Sequence, residues 1–205
     1  MGITWHGGQF VAVGRPDTFL TSPDGVTWTQ RDSGTTATYF SAITWGGSQF
    51  VAVGDGGAIL TSPDGVTWTA RVSGIGFLRA ITWGNSQFVA VGDGGTILTS
   101  PDGMTWTRRE SGTTVGLSGI AWGGGQFVAV GFSYDSYKST ILSSQDGVTW
   151  TERDSGIPPS LVDITWGGGR AIALCGSRTG LTEEEAQPIV IIECSAEFAA
   201  ADTIA

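Results

Sequence analysis

The sequence predicts an all-β chain folded as a β-propeller of four-stranded blades, five in number with the fifth irregular, and three observations carry that reading. A unit of about forty residues recurs along the chain. Each unit divides into four short apolar or alternating segments separated by glycine-rich joints. Tryptophan falls in only two slots of the unit.

The first segment, Ile3-Thr4-Trp5, recurs as Ile43-Thr44-Trp45, Ile81-Thr82-Trp83, Ile120-Ala121-Trp122 and Ile164-Thr165-Trp166. Alternation along a strand places its Ile and Trp on one face. The second, Gln-Phe-Val-Ala-Val-Gly, stands unchanged at 9–14, 49–54, 87–92 and 126–131. It is apolar on both faces, as a strand sandwiched between neighbouring sheets should be. The third reads Ile-Leu-Thr-Ser, with Phe19 in place of Ile in the first unit, and the fourth reads Thr-Trp-Thr-x-Arg, polar enough for an outer edge. One such unit has two apolar faces and cannot bury both alone. Radial stacking buries them, and about forty residues in four strands is the period of a propeller. The blades span about 1–34, 35–74, 75–112 and 113–156, with the start of a fifth at 157–176. Residues 177–205 form a divergent acidic segment that completes or caps that fifth blade.

All nine Trp residues occupy the first-strand slot (5, 45, 83, 122, 166) or the fourth-strand slot (28, 68, 106, 150). Such regularity favours packing over ligand stacking. Each buried indole removes roughly 200 Å² from water, about 5 kcal/mol gross, so the tryptophans are expected to anchor the core.

Composition narrows the function classes. The 205 residues include 33 Gly and only 14% charged side chains, in keeping with one turn-rich β domain. Net charge is −9, and six acids stand against Arg178 alone in 177–205. Without a basic stripe, nucleic acid and anionic membrane are excluded as partners. Cys175 and Cys194 lie outside the repeats; they could form one disulfide but have neither framework nor zinc spacing. No signal peptide or transmembrane run is expected, since blade-like sequence begins at Ile3. No metal or cofactor is expected.

The joint between third and fourth strands has its own chemistry. In Ser22-Pro23-Asp24-Gly25, Pro presets φ, Asp tolerates the next turn position, and Gly supplies the left-handed one. That describes a type I turn with a G1 bulge joining antiparallel strands. The Asp carboxylate can accept backbone N–H groups of its own turn, and the Ser hydroxyl can add another bond.

Here the chain resembles the Asp-box families: sialidases, related bacterial repeat proteins, and the photosystem II assembly factor of plants and cyanobacteria. Their Ser-x-Asp-x-Gly-x-Thr-Trp motif lies on the hairpin between the third and fourth strands of a blade. The matching residues are Ser22, Asp24 and Trp28; Ser62, Asp64 and Trp68; Ser100, Asp102 and Trp106; and Ser144, Asp146 and Trp150. This chain is one residue shorter between Asp and Gly. The resemblance covers about residues 1–170 and implies a structural role for these residues, on the face opposite the catalytic one. It also leans towards an extracellular or bacterial cell-surface location.

A sialidase-like hydrolase would need three arginines converging on a substrate carboxylate, a Tyr–Glu nucleophile pair and an Asp acid/base. Arg31, Arg71, Arg109 and Arg153 instead share one slot on the outermost strand. The tyrosines are only Tyr39, Tyr134 and Tyr137, and the repeat-region glutamates only Glu110 and Glu152. The family's Phe/Tyr-Arg-Ile-Pro signature is absent, and His6 is a lone histidine where other units have Gly. Gly-Asp-Gly-Gly at 54–57 and 92–95 joins two strands rather than opening a helix, so it reads as a turn and not as a phosphate loop. The expectation is no catalysis.

Function should sit where the repeats differ. The connection between second and third strands is Gly-Asp-Gly-Gly in units two and three, Gly14-Arg15-Pro16-Asp17 in the first, and an enlarged Gly131–Ser139 in the fourth. That enlargement holds Tyr134, Asp135, Tyr137 and Lys138, the chain's one lysine. With Arg15, Asp17, Asp55 and Asp93 on the same face, it forms the expected binding surface for a protein or glycan. The bland reading is a tolerated surface insertion. A sialidase-like hydrolase and a ligand-free fragment of a larger propeller are the alternatives in function. If the ring is incomplete, exposed apolar faces favour self-association.

The fifth unit diverges after Gly169, with Ala171-Ile172-Ala173-Leu174 in place of Phe-Val-Ala-Val. Thr182–Glu185 resembles a capped helical turn, Pro188–Glu193 reads as a strand, and Ser195–Ala205 has helix-forming composition.

Overall fold

Four of the repeats fold as four-stranded antiparallel sheets with strands in chain order, and the fifth contributes three strands among the described residues. The computed structural model describes residues 1–35, 39–72, 74–133, 136, 138–153, 161–175 and 191–194. The first sheet comprises β1 (Gly2–His6), β2 (Gln9–Gly14), β3 (Thr18–Ser22) and β4 (Thr29–Arg31). The second comprises β5 (Phe40–Gly46), β6 (Gln49–Gly54), β7 (Ala58–Ser62) and β8 (Thr69–Val72). The third holds β9 (Leu78–Gly84), β10 (Gln87–Gly92), β11 (Thr96–Ser100) and β12 (Thr107–Arg109). The fourth holds β13 (Leu117–Gly123), β14 (Gln126–Ser133), β15 (Lys138–Ser144) and β16 (Thr151–Arg153), and the fifth β17 (Leu161–Gly167), β18 (Arg170–Cys175) and β19 (Ile191–Cys194).

The joint between first and second strands is a two-residue turn in every sheet. Both of its residues take positive φ: Gly7 and Gly8, Gly47 and Ser48, Asn85 and Ser86, Gly124 and Gly125, Gly168 and Gly169. Two successive left-handed residues make the type I′ turn, whose twist matches that of the strands it joins. The turn fixes the register, pairing Trp5 with Phe10, Trp45 with Phe50, Trp83 with Phe88 and Trp122 with Phe127.

That register gives each sheet two unlike faces. The front face, towards the next repeat, carries Val11, Val13 and Phe19 in the first sheet. The back face of the second sheet receives them with Phe40, Ile43, Phe50, Ala52 and Leu60, flanked by Trp45 and Trp68. The same junction recurs where Val51, Val53 and Ile59 meet Ile81, Phe88, Ala90 and Leu98. It recurs again where Val89, Val91 and Ile97 meet Ile120, Phe127, Ala129 and Leu142, and where Val128, Val130 and Ile141 meet Leu161, Ile164, Ala171 and Ala173. Along the inner edge β1 packs on β5, β5 on β9, β9 on β13 and β13 on β17; among the described residues no comparable packing joins the fifth sheet to the first.

The expectation that the tryptophans anchor this core is corrected. The largest fully buried side chains are Phe19, Phe40, Phe50, Phe88 and Phe127, whereas eight of the nine indoles are half-buried and Trp5 is exposed. Position in the sheet explains this. The Trp residues lie on or beside the edge strands of each sheet, the first and the fourth, whereas Phe50, Phe88 and Phe127 lie on the second strand with a neighbour on each side. What the indoles do is fix the spacing of neighbouring sheets. A Cβ on Gly46, Gly84 or Gly123 would fall on the ring of Trp83, Trp122 or Trp166 in the next sheet. In the first sheet the same slot holds His6, whose ring stacks on Trp45 at 3.5 Å and 9°.

In the fifth sheet, Pro188–Glu193 was expected to be a strand, and β19 occupies Ile191–Cys194. The expected turn at 182–185 and helix at 195–205 lie outside the described residues. Cys194 pairs in register with Ala171, four residues along β18 from Cys175.

Candidate functional site

The connections lie on two rims, and the hydrogen bonds separate them. One rim carries the hairpins between third and fourth strands together with the type I′ turns. Asp24 Oδ1 accepts the backbone N–H groups of Val26 and Thr27 at 2.8 and 2.7 Å, and the Ser22 hydroxyl donates to it at 3.1 Å. Asp64, Asp102 and Asp146 accept the equivalent pairs of N–H groups. Ser22, Ser62 and Ser144 each accept the N–H of the turn glycine at 2.8 Å. Gly25 sits at φ +75°, where an L side chain would be strained. The indole N–H of Trp28, Trp68, Trp106 and Trp150 donates to the carbonyl of its own turn glycine. These bonds satisfy the charged form, so all four carboxyls are held below the usual Asp value, chiefly by the N–H of Thr27, Thr67, Thr105 and Thr149.

One further contact on this rim crosses between blades. The glutamine that opens the second strand reaches into the next blade in the first three units. Gln9 Nε2 donates to the Asp64 carbonyl at 2.7 Å, Gln49 to that of Asp102, and Gln87 to that of Asp146 at 2.6 Å. Its signal was its invariance at a position that packing alone would leave free.

The outer-strand arginines are also tied down. Nε of Arg31, Arg71, Arg109 and Arg153 donates to the hydroxyl of Thr21, Thr61, Thr99 and Ser143 at 2.8–3.2 Å. Each arginine therefore lies along its own sheet.

The opposite rim carries the connections between second and third strands and those between blades. The N–H of Asp55 donates to the Tyr39 carbonyl at 2.9 Å and that of Asp93 to the Phe77 carbonyl at 3.0 Å. The residues expected to bind on this face are placed as follows. Arg15 lies over the Tyr39 ring at 4.2 Å. Asp17, at φ +36°, accepts the Ser33 hydroxyl at 2.6 Å. Asp55 accepts the N–H of Gly56 at 2.7 Å within a 3-10 turn, Asp55–Gly57. Asp93 opens the matching turn, Asp93–Gly95, and pairs with Arg79. Arg15 and Asp55 thus meet the same residue, Tyr39, at the junction of the first two blades, and Asp93 stands at the corresponding connection of the third.

The enlarged connection of the fourth blade is mostly ladder. Phe132 pairs with Ser139 and Ser133 with Lys138, so β14 and β15 project beyond their counterparts in the other sheets. Tyr134, Asp135 and Tyr137 lie outside the described residues. Lys138 pairs with Glu152 on β16 at 2.8 Å.

Where this hairpin faces the third blade, a groove of about 560 Å³ opens. Gly94, Gly95 and the inter-blade segment Ser111–Val115 line it. Arg108, Arg109 and Glu110 form one wall, and Ser136, Lys138 and Glu152 the other. Of the expected binding residues, Lys138 lines it and Asp93 adjoins it through Gly94. Arg108, Glu110 and Glu152 were missed, although one signal marked two of them. The outer-strand position opposite Leu20, Leu60, Leu98 and Leu142 is Gln30, Ala70, Arg108 and Glu152, the slot that varies most in an otherwise regular strand. Among the described residues no group of three or more His, Cys, Asp or Glu side chains is placed to hold a metal ion.

The sheets and their order define a β-propeller. Among solved structures the chain is similar to YCF48 bound to D1 peptide, with TM-score 0.63, 19% identity, and 83% of this chain matched to 58% of that one. It is similar to YCF48 from Cyanidioschyzon merolae, with TM-score 0.64, 14% identity, and 94% of this chain matched to 70% of that one. YjhT aligns with TM-score 0.62 and 7% identity over 84% of this chain and 70% of that one. The match thus spans little more than half the length of the first of these. No family model and no curated protein matches the chain.

Proposed function

We propose that this propeller is a non-catalytic protein-binding module and that it holds an extended segment of its partner in the groove between the third and fourth blades. The observation that carries the reading is the groove itself. Its walls are built from the two places where the repeat departs from its template, Arg108 on the outer strand and the projecting β14–β15 hairpin with Lys138. Gly94 presents open space to it, with nothing within 4 Å of its Cβ position. In a chain of net charge −9, Arg108, Arg109 and Lys138 give this groove more cations than its two glutamates offset, which suits a segment carrying Asp or Glu. A structural neighbour, YCF48 bound to D1 peptide, supports a peptide reading. The Ser-x-Asp-Gly hairpins support kinship with the Asp-box families, and their hydrogen bonds support a structural role there.

A phage-displayed peptide library panned on the immobilised chain tests this. Enriched peptides should carry acidic residues and lose at least tenfold in affinity against an Arg108→Glu, Lys138→Glu double variant. Enrichment of peptides that bind this variant as tightly as the parent would overturn the groove. The alternative, a sialidase-like hydrolase, is disfavoured by four arginines each tied to a hydroxyl of its own sheet. Turnover of a fluorogenic sialoside would revive it.

A further inference from the structure

The four internal junctions show what covers a back face, and one back face is uncovered. Ile43, Ile81, Ile120 and Ile164 are 6–8% exposed beneath the preceding sheet, whereas Ile3 in the same slot is 58% exposed and Trp5 is 51% exposed. Together with Met1, Ala12, Leu20 and Trp28, Ile3 lines an apolar hollow of about 510 Å³ on the first sheet. In every other blade this face receives two valines from the second strand of the preceding sheet and a third-strand Ile or Phe.

At the other end of the array stands the complementary half. Ile172 and Leu174 occupy the register positions of Val51 and Val53, opposite Thr165 and Asp163 as those stand opposite Thr44 and Ala42. Both are half-buried, whereas Val51 and Val53 are fully buried. Among the described residues, then, the back face of the first sheet and the front face of the fifth, the two halves of a junction made four times between the other pairs, do not meet.

We propose that the first sheet's Ile3–Trp5 face docks the fifth sheet's Ile172–Leu174 face of a second copy of this chain, making a head-to-tail junction of the internal kind. The surfaces differ, so the contact is heterologous. It requires nothing of the groove between the third and fourth blades and stands independently of the proposed function.

Sedimentation velocity over a concentration series tests it on the full chain. The parent should associate as concentration rises, and Ile3→Asp alone and Leu174→Asp alone should each stay monomeric. An equimolar mixture of the two variants should form a dimer, since each retains the half that the other lacks. A parent that is monomeric throughout would overturn the proposal. So would self-association of Leu174→Asp alone, which would mean that back face meets back face, or a mixture that stays monomeric. Ile172→Gln is the milder companion should Leu174→Asp lose its native near-UV circular dichroism, and it should weaken association at least tenfold with that spectrum unchanged.

Discussion

Gln87 Nε2 donates to the backbone carbonyl of Asp146 at 2.6 Å, so a side chain at the start of β10 holds the turn of the following blade. The bond crosses the junction, with its two residues 59 apart in sequence. Gln87→Ala leaves both sheets intact and removes only this tie. The expected loss is about 1 kcal/mol in chemical denaturation. A loss much above the ~1.5 kcal/mol upper end of that range would mean that the glutamine does more than close this bond.

Gly84 and Gly167 occupy the same slot with opposite surroundings. A Cβ on Gly84 would strike the Trp122 ring of the next sheet, while one on Gly167 meets nothing within 4 Å. Gly84→Ala should therefore cost about 2 kcal/mol through forced repacking. Gly167→Ala should change stability by less than about 0.5 kcal/mol. Thermal unfolding of the two variants against the parent checks the contrast, which vanishes if the glycines serve only chain flexibility.

Acid should unfold this protein through four equivalent turns. The carboxyls of Asp24, Asp64, Asp102 and Asp146 are held below the ordinary value by backbone N–H bonds, Thr27, Thr67, Thr105 and Thr149 being the chief donors. A group whose pKa is lower in the folded state contributes stability that is fully present above its unfolded value, about 3.9 for Asp, and lost as pH falls below it. Denaturation midpoints should be flat near neutrality on this account and decline below about pH 4. In Asp102→Asn that decline should be shallower by one site in four. An unchanged slope would remove Asp102 from the acid transition.

Repetition made most of the fold legible. Five copies of Ile-x-Trp and four of Gln-Phe-Val-Ala-Val-Gly placed the strands, and alternation assigned Val11 and Phe10 to opposite faces before any coordinate. Burial was read less well, because hydrophobicity ranks Trp with Phe. Phe50 and Trp45 stand opposite each other in register, but Phe50 lies on the inner strand β6 and Trp45 on the edge strand β5, a difference that appears only once the strands are ordered in the sheet. For the candidate groove, the rule that function lies where repeats differ pointed to Lys138 through its enlarged connection. It missed Arg108, because a polar residue on an outer edge strand looks like any other solvated position. That Arg108 and Lys138 line one groove depends on how far β14 and β15 project past the neighbouring blade, a relation between units that no single unit encodes.

The claim that a partner segment lies in this groove is tested most directly by amide hydrogen exchange of the chain with and without a peptide enriched from the library. Binding should slow exchange in Arg108–Val115 and at the strand positions of Lys138 and Glu152, which line the groove, and leave the Ser-x-Asp-Gly turns at 22–25, 62–65 and 144–147 unchanged. Protection concentrated on those turns, with exchange in the groove unaltered, would contradict the account.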